Sequence, residues 1–397
     1  MEADLPAAVD LLERIVNINS GTLNPAGVRR VGEILRPEFE ALGFNVRWIP
    51  MDEVKRAGHL VAERKGTKGK KVLIIGHMDT VFELSSPFQK WTRDGNTGIG
   101  PGTSDMKGGI VILLLALKAM HRSGALDDTS ITVFLTGDEE RVGEPLSISR
   151  RDLIEAGKRS DAALEYEGGS RVDGREFATI GRRSSSSWTL RVTAQEGHSS
   201  GIFNPRAGSG AVYEISRILA AFHEQLQEPG ATFNTGILLA GAQVQFDEAK
   251  FSGSVNAKSN IIPPAAIASG DLRTLTEEQT QRVREKMKQI VAKHLPRTSA
   301  EITFEDKYPA MAVTDGNQGL LKLLNGVNRD LNMEAMEALD PSRRGAGDIS
   351  FVAPFVSGLS GLGANGGGAH APGETIDLTR IPVQAKRSPL LIYRLTH

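Results

Sequence analysis

Two apolar runs that lead into chemically reactive side chains constrain the fold of this chain most. Residues 72–75 are continuously apolar and lead to His77, and residues 131–135 lead to Glu139 and Glu140. Apolar runs of this length, interrupted only by Thr132 in the second, are typical of strands buried on both faces, as in a parallel sheet covered by helices. Because sites in such sheets form beyond the carboxyl ends of the strands, we expect these polar side chains to share one site.

Helical periodicity alternates with these runs and indicates an α/β fold. Apolar spacing predicts helices over residues 5–18 and 28–42, and a helix over 110–121 that is apolar on most faces and therefore buried. Residues 46–49 form a further predicted strand, and the last helix is predicted over roughly residues 379–391. Strands that alternate with helices favour a layered α/β architecture.

The pattern changes near residue 181 and predicts a second, smaller domain. Residues 188–193 alternate as in a strand with one wet face, a helix is predicted over 207–223, strands over 236–272 and a charged amphipathic helix over 277–294. These elements indicate an α+β insert with an antiparallel sheet. The predicted parts are 1–180 and 308–397 for the α/β domain and 181–307 for the insert.

Composition excludes several classes of function. Among 397 residues, 47 Lys and Arg stand against 48 Asp and Glu, so we expect no nucleic-acid partner. The densest basic stretch, residues 65–71, is predicted to be a solvated turn between strands. No apolar run approaches the ~20 residues of a membrane helix. The chain has no cysteine, so metal ligands must come from His, Asp and Glu.

The first residues, Met1-Glu2-Ala3-Asp4, are acidic and lack the charge pattern of a signal peptide. As written, the sequence therefore predicts a cytoplasmic protein. A periplasmic or secreted location is expected instead if a signal peptide was removed from the native chain.

Several candidate ligands have a structural alternative. Asp79 follows His77 by two positions, which suits a carboxylate that orients a metal-binding imidazole, but a polar strand end carries the same residues. Asp105 lies in a glycine-rich turn before a buried helix, where it fits either a bridging ligand or a helix N-cap. Glu139 and Glu140 suit a proton-transferring base and a metal ligand, or a solvated loop.

Three further positions complete the inventory. Glu167 follows the apolar residues 162–164, and Glu165 competes with it for any ligand role. His370 follows the glycine-rich stretch 363–368, which we interpret as a close-packed loop. His198 lies on an exposed Gly/Ser loop of the insert. Two imidazoles with several carboxylates suit two divalent cations that share one carboxylate and activate water.

The joint order of these segments resembles the dizinc aminoacylase and carboxypeptidase family of metallopeptidases, along nearly the whole chain. The likeness is greatest to its bacterial glutamate carboxypeptidase branch. The segments that carry it are Gly76-His77-Met78-Asp79-Thr80-Val81, Gly100-Pro101-Gly102, Asp138-Glu139-Glu140 and Ser259-Asn260-Ile261-Ile262-Pro263.

The resemblance implies a zinc-exopeptidase-like catalytic domain with a mixed central sheet, interrupted by an α+β lid that dimerises the protein. It implies two Zn²⁺ per chain, with Co²⁺ or Mn²⁺ also tolerated. It further implies that His77, Asp105 and Glu167 hold one zinc, and that Asp105, Glu140 and His370 hold the other. Asp79 would brace His77, and Glu139 would be the general base. His198 would polarise the substrate carbonyl in the partner subunit's site, and Asn260 and Arg273 would bind the substrate. A cis peptide is also implied at Asp105-Met106.

The resemblance further implies hydrolysis of an amide bond in an N-acyl amino acid or short peptide. Arg273 would bind the free carboxylate, and a glutamate-type product is the first expectation. The alternatives are a deacylase or desuccinylase of other specificity and a non-catalytic homologue that serves as a binding subunit. The sequence departs from the glutamate carboxypeptidase pattern at Gly345-Ala346-Gly347-Asp348 and in a longer segment between Gly236 and Val255.

Overall fold

A computed structural model describes residues 2–397. The chain divides into two compact units: one runs to Gly181 and resumes at Met311–His397, and the other comprises Arg182–Ala310. The boundaries predicted from the sequence were 180/181 and 307/308. The assignment of a catalytic role to the first unit and a lid role to the second stays a prediction.

The helices are α1 (Leu5–Val16), α2 (Pro25–Glu40), α3 (Gly108–Arg122), α4 (Leu146–Ser149), α5 (Arg151–Lys158), α6 (Gly210–Gln225), α7 (Glu277–Val291), α8 (Asp315–Asp330), α9 (Ile349–Val352) and α10 (Ile381–Thr396). The strands are β1 (Asn45–Met51), β2 (Arg56–Arg64), β3 (Lys68–His77), β4 (Thr92–Asp94), β5 (Thr97–Ile99), β6 (Thr129–Thr136), β7 (Ala162–Glu165), β8 (Ser170–Val172), β9 (Arg175–Ala178), β10 (Ser185–Ala194), β11 (Gly197–His198), β12 (Thr232–Phe233), β13 (Ile237–Gly241), β14 (Gln243–Asp247), β15 (Ser252–Asn256), β16 (Ile261–Ile262), β17 (Ala265–Arg273), β18 (Thr298–Tyr308), β19 (Glu337–Ala338), β20 (Gly358–Leu359), β21 (Gly366–Gly367) and β22 (Thr375–Asp377).

The central sheet of the first unit has the strand order β1-β2-β6-β3-β7-β20. Strands β6, β3, β7 and β20 are parallel, whereas β1 and β2 add antiparallel pairs at one edge. His77 pairs with Thr136, and Ile75 pairs with Glu165, so the carboxyl ends of three neighbouring strands meet. The predicted α/β fold with a mixed central sheet is confirmed.

Helix α3 illustrates why the apolar pattern predicted a buried element. Every residue from Ile110 to Leu117 is buried, and the helix packs against α1 and α10. Other helices cover the sheet, with α2 on β2, α10 on β3 and α8 on β20. Burial of nearly continuous apolar surface on the sheet and on α3 supplies the main driving force for folding this unit.

The second unit contains an antiparallel sheet in the order β12-β17-β10-β18, with β13 also paired to β17. Along β10, Trp188, Leu190 and Val192 are buried against α6 and α7, while Arg191 and Thr193 between and beyond them are exposed. This is the alternation expected of a sheet with one wet face. Strands β14 and β15 form a separate two-stranded hairpin.

Two local expectations need correction. Strand β2 was not predicted, because Gly58 and His59 interrupt the apolar pattern of a strand that is nonetheless largely buried. The turn predicted over residues 65–71 is shorter, since β3 begins at Lys68 and extends as an exposed strand end up to Lys71. Within residues 2–397, no helix is long and apolar enough to cross a membrane.

Candidate metal centre

His77 is oriented by the residue two positions after it. Its Nδ1 lies 3.1 Å from the backbone oxygen of Asp79 and 3.5 Å from Asp79 Oδ1, so the predicted brace acts mainly through the backbone. A proton on Nδ1 leaves the Nε2 lone pair free for a ligand. Nε2 lies 3.1 Å from Asp105 Oδ1 and 3.0 Å from Glu167 Oε1.

Asp79 also holds a second loop, which the sequence did not indicate. Its Oδ1 accepts a hydrogen bond from the backbone N–H of Glu139 at 3.0 Å, and its Oδ2 accepts from that of Glu140 at 3.1 Å. The Thr22 hydroxyl donates to Oδ2 at 2.6 Å. One buried carboxylate therefore connects the end of β3 with the loop that follows β6.

The N-cap interpretation of Asp105 is wrong. Helix α3 begins after Lys107, and Asp105 lies in the preceding irregular turn with φ −122° and ψ 87°. Its two carboxylate oxygens face different imidazoles, Oδ1 at 3.1 Å from His77 Nε2 and Oδ2 at 3.0 Å from His370 Nε2. The Asp105–Met106 peptide bond is cis. Asp105 is therefore placed as a bridging ligand requires.

His370 reaches the same point from the loop between β21 and β22. It adopts φ 65°, and its Nε2 lies 3.1 Å from Glu140 Oε2. The solvated-loop interpretation of the acidic segment is wrong, because Asp138 is fully buried and the Glu140 side chain is only 5% exposed. The loop is held inward by its hydrogen bonds to Asp79.

Among the described residues, two groups of side chains are spaced to hold a metal ion. They are His77 with Asp105 and Glu167, and Asp105 with Glu140 and His370, and the candidate ligand atoms within each group lie within 4.8 Å of one another. Asp105 belongs to both. Imidazole and carboxylate ligands without thiolates suit Zn²⁺ and also Co²⁺ or Mn²⁺. The residues present therefore fit a two-metal site with a shared carboxylate.

The electrostatics of the cluster support this fit. Burial alone would lower the pKa of His77, but hydrogen bonds to Asp105, Asp79 and Glu167 outweigh it and hold that pKa well above its usual value. Hydrogen bonds to Asp105 and Glu140 raise the pKa of His370 to about 11. Burial raises the pKa of Glu139 well above its usual value, because together with the nearby carboxylates it outweighs the opposing effect of His77. The cluster attracts positive charge, whether from protons or from metal ions.

Asp138 and Glu165 are two further buried acidic residues, and both accept hydrogen bonds from other parts of the chain. Asp138 Oδ1 accepts a hydrogen bond from Arg150 at 2.6 Å, and Oδ2 accepts from the backbone N–H of Gly143. Glu165 accepts hydrogen bonds from the backbone N–H of Ile349 and from the hydroxyl of Ser360. Both carboxylates therefore belong to buried structural networks, and neither is placed as a metal ligand.

Two residues close to the cluster were missed from the sequence. Arg344 Nη2 donates to the backbone oxygen of Gly168 at 2.9 Å and lies 3.7 Å from Glu167 Oε2. Glu374 accepts hydrogen bonds from the turn that carries Asp105. Nothing in the local sequence of Arg344 signals its place, whereas Glu374 stands only four residues after His370.

The remaining candidate residues lie in the second unit. His198 is exposed, and its Nδ1 lies 2.8 Å from the Ser200 hydroxyl. Strand β11, which carries His198, pairs with β16 directly after Asn260. Arg273 ends β17 and donates from Nε to Asp271 at 3.0 Å. Their roles in binding and catalysis stay predictions.

Comparison with known proteins identifies the family. Residues 73–392 match peptidase family M20/M25/M40. The chain belongs to this family. It is a metallopeptidase- or aminoacylase-type hydrolase that acts on peptide or amide bonds.

Individual relatives give the extent of the similarity. The chain is 28% identical to carboxypeptidase G2 of Pseudomonas sp. (strain RS-16) over 98% of its own length and 89% of the relative. It is 30% identical to a succinyl-diaminopimelate desuccinylase of Bradyrhizobium sp. (strain BTAi1), over 64% and 66% of the two chains. Its fold matches the YxeP protein of Bacillus subtilis, a dinuclear metal-binding peptidase of the M20 family, with TM-score 0.68, 15% identity and coverage of 100% and 99%.

Proposed function

We propose that this protein is a two-metal carboxypeptidase or aminoacylase that releases a C-terminal amino acid, glutamate in the first instance, from an N-acyl amino acid or short peptide. The observation that carries the proposal is the convergence of His77, Asp105, Glu140, Glu167 and His370 on two overlapping ligand groups. The glutamate preference rests on similarity to carboxypeptidase G2, which extends over nearly the whole chain.

The chemistry divides between the bound ions and the chain. Two divalent cations held by the ligand groups would lower the pKa of a shared water towards ~7 and polarise the carbonyl oxygen of the substrate. Glu139 accepts the proton of the attacking water and passes it to the leaving amine. Asp79 keeps Glu139 in position, because its Oδ1 binds the Glu139 backbone N–H at 3.0 Å.

The second unit carries its candidate groups towards opposite ends of one strand. His198 and Asn260 lie near the Ala265 end of β17, whereas Arg273 ends the same strand. Eight residue steps at about 3.3 Å each separate the two ends by roughly 26 Å. An extended dipeptide spans only about 7 Å. We therefore propose that the protein is a homodimer in which His198 acts in the partner's site, as the family resemblance implies. Asn260, whose backbone oxygen accepts from the N–H of Ser199, would act there with it, while Arg273 binds the substrate carboxylate in its own site.

A desuccinylase is the second candidate, because a succinyl-diaminopimelate desuccinylase is 30% identical over 268 residues. In that case the acyl group is a dicarboxylate, and the leaving group is a diamino acid. A non-catalytic homologue fits less well, since both candidate ligand groups are complete and Glu139 is retained beside them.

Substrate preference can be measured by release of free amino acid from a panel of N-acyl amino acids. We expect N-acylglutamates to be hydrolysed with higher kcat/KM than N-succinyl diamino acids, and a chelator to abolish both activities. Arg273→Ala should raise KM for substrates with a free carboxylate, because a bidentate clamp is lost. The same variant should change KM little for the corresponding carboxamides. Preferential hydrolysis of N-succinyl substrates would favour the desuccinylase instead.

Metal binding is expected to release protons. Near neutral pH the raised pKa values keep protons on His77 and His370, and coordination requires neutral imidazoles, so metal affinity should fall as the pH falls. Calorimetric titration of metal-stripped protein with Zn²⁺, in buffers of different ionisation enthalpy, measures the number of protons released. The expected stoichiometry is two ions per chain. Full activity with one bound ion, or a binding heat independent of the buffer, would contradict the proposed centre.

A further inference from the structure

Glu374 is a buried carboxylate whose hydrogen bonds all lead to the metal-binding turn. Its Oε1 accepts from the backbone N–H of Ser104 at 2.8 Å, from the Ser104 hydroxyl at 3.0 Å and from the backbone N–H of Asp105 at 2.9 Å. Its Oε2 accepts from the backbone N–H of Gly102 at 2.9 Å. The residue is 1% exposed. Four donors from one turn thus surround a single side chain that lies about 270 positions away in the sequence.

The same residue belongs to the loop that carries His370. That loop begins with β21 and returns through β22, which starts directly after Glu374 and pairs with β5 just before the Asp105 turn. The backbone oxygen of Glu374 also accepts from the N–H of Gly100 at 3.1 Å. Side chain and backbone therefore attach the His370 loop to the Asp105 turn at several points between Gly100 and Asp105.

We propose that Glu374 is a positioning residue that holds the Asp105 turn and the His370 loop in one arrangement suited to two metal ions. The inference rests on the proposed two-metal site. Glu374 is not itself placed as a ligand, since its oxygens already accept four hydrogen bonds and it is absent from both candidate ligand groups. It acts through Asp105, because it binds the backbone N–H of that residue.

The position of Asp105 in both ligand groups makes the expected effect specific. Loss of the Glu374 carboxylate releases a turn whose aspartate would contact both ions, so the affinity for both should fall. A change confined to the His370 loop would weaken the binding of one ion only. Substitutions of groups that orient metal ligands typically reduce metal affinity about 10–100-fold.

The test is competition between the protein and a fluorescent chelator for Zn²⁺, combined with thermal unfolding of each metal-loaded and metal-stripped protein. Glu374→Gln keeps the size of the side chain but turns an N–H₂ group towards backbone N–H donors. We expect both Zn²⁺ affinities to fall about 10–100-fold. The increase of Tm on Zn²⁺ loading should be smaller than in the parent. Ser104→Ala removes one of the four donors and should give a smaller loss of both affinities.

The matched control is Glu176→Gln, which removes a partly buried carboxylate of the same unit. Glu176 pairs with Arg380 and Arg387 and belongs to neither ligand group. This variant should lower Tm without changing either Zn²⁺ affinity.

A parent protein that binds fewer than two ions would contradict the proposed metal site itself. A parent that binds two, with unchanged affinities in Glu374→Gln, would overturn only the role of Glu374. If Glu374→Gln fails to fold, unchanged affinities in Ser104→Ala would overturn it equally.

Discussion

Replacing Glu139 by glutamine is expected to abolish turnover while leaving the metal content unchanged. The substitution keeps the shape of the side chain and removes the group that accepts the proton from water. General acid–base groups typically contribute about 10²–10⁴-fold to the rate, so kcat should fall by at least that much. The metal ligands are untouched, because Glu139 is in neither ligand group. Metal analysis and kcat measured on the same preparation check both parts of the prediction.

Asp138→Asn is the matched control, since Asp138 directly precedes Glu139 but is ion-paired with Arg150 at 2.6 Å in a fully buried setting. Removing one partner of a buried ion pair typically costs about 3–5 kcal/mol of stability. We therefore expect a clear fall of Tm in Asp138→Asn and little change of Tm in Glu139→Gln. Activity of Glu139→Gln within tenfold of the parent would show that another group accepts the proton.

The sequence predicted the parts of the fold that depend on local burial. The runs that became β3 and β6 are mostly apolar along their buried length, and α3 is apolar on nearly every face, so each pattern indicated a buried element. Strand β2 was not predicted, because a strand can be buried although it contains glycine and histidine when the folded chain supplies a hydrogen-bond partner for the histidine. His59 Nε2 lies 3.0 Å from the backbone oxygen of Ser149, a partner 90 positions away.

The candidate ligands were ambiguous from the sequence for the same reason. An isolated Asp before a helix is usually a cap, and Glu139 and Glu140 taken alone resemble a solvated loop. What separates these interpretations is Asp79, whose carboxylate binds the backbone of that loop from 60 positions away. The family resemblance supplied this long-range information indirectly. It gave no role to Glu374, whose hydrogen bonds are visible only in the folded chain.

His198→Ala is expected to reduce kcat by about 10²–10³-fold, the loss typical for a donor that stabilises a developing oxyanion. The two ends of β17 are roughly 26 Å apart, so His198 beyond one end and Arg273 at the other are not expected to contact one short substrate in cis. A trans role can be tested by mixing inactive His198→Ala protein with inactive Glu139→Gln protein. In a mixed dimer, one site keeps Glu139 and receives an intact His198 from its partner.

With free exchange at equal mixing, about half of the dimers are mixed and each has one competent site, so roughly a quarter of the parental activity should return. Mixing His198→Ala with Asn260→Ala is the matched control. Each site of that mixed dimer receives a partner that lacks either His198 or Asn260, so no recovery is expected.

A third mixture sharpens the distinction between cis and trans. When the parent is mixed with a double variant, His198→Ala with Glu139→Gln, every site of a mixed dimer lacks one of the two groups if His198 acts in trans. Only parental homodimers remain active, and total activity falls to about a quarter of that of undiluted parent, whereas a cis role leaves about half. Subunit exchange must be shown separately, for example by energy transfer between labelled chains. Exchange without recovery in the first mixture, and with half the activity in the third, would place His198 in the site of its own chain.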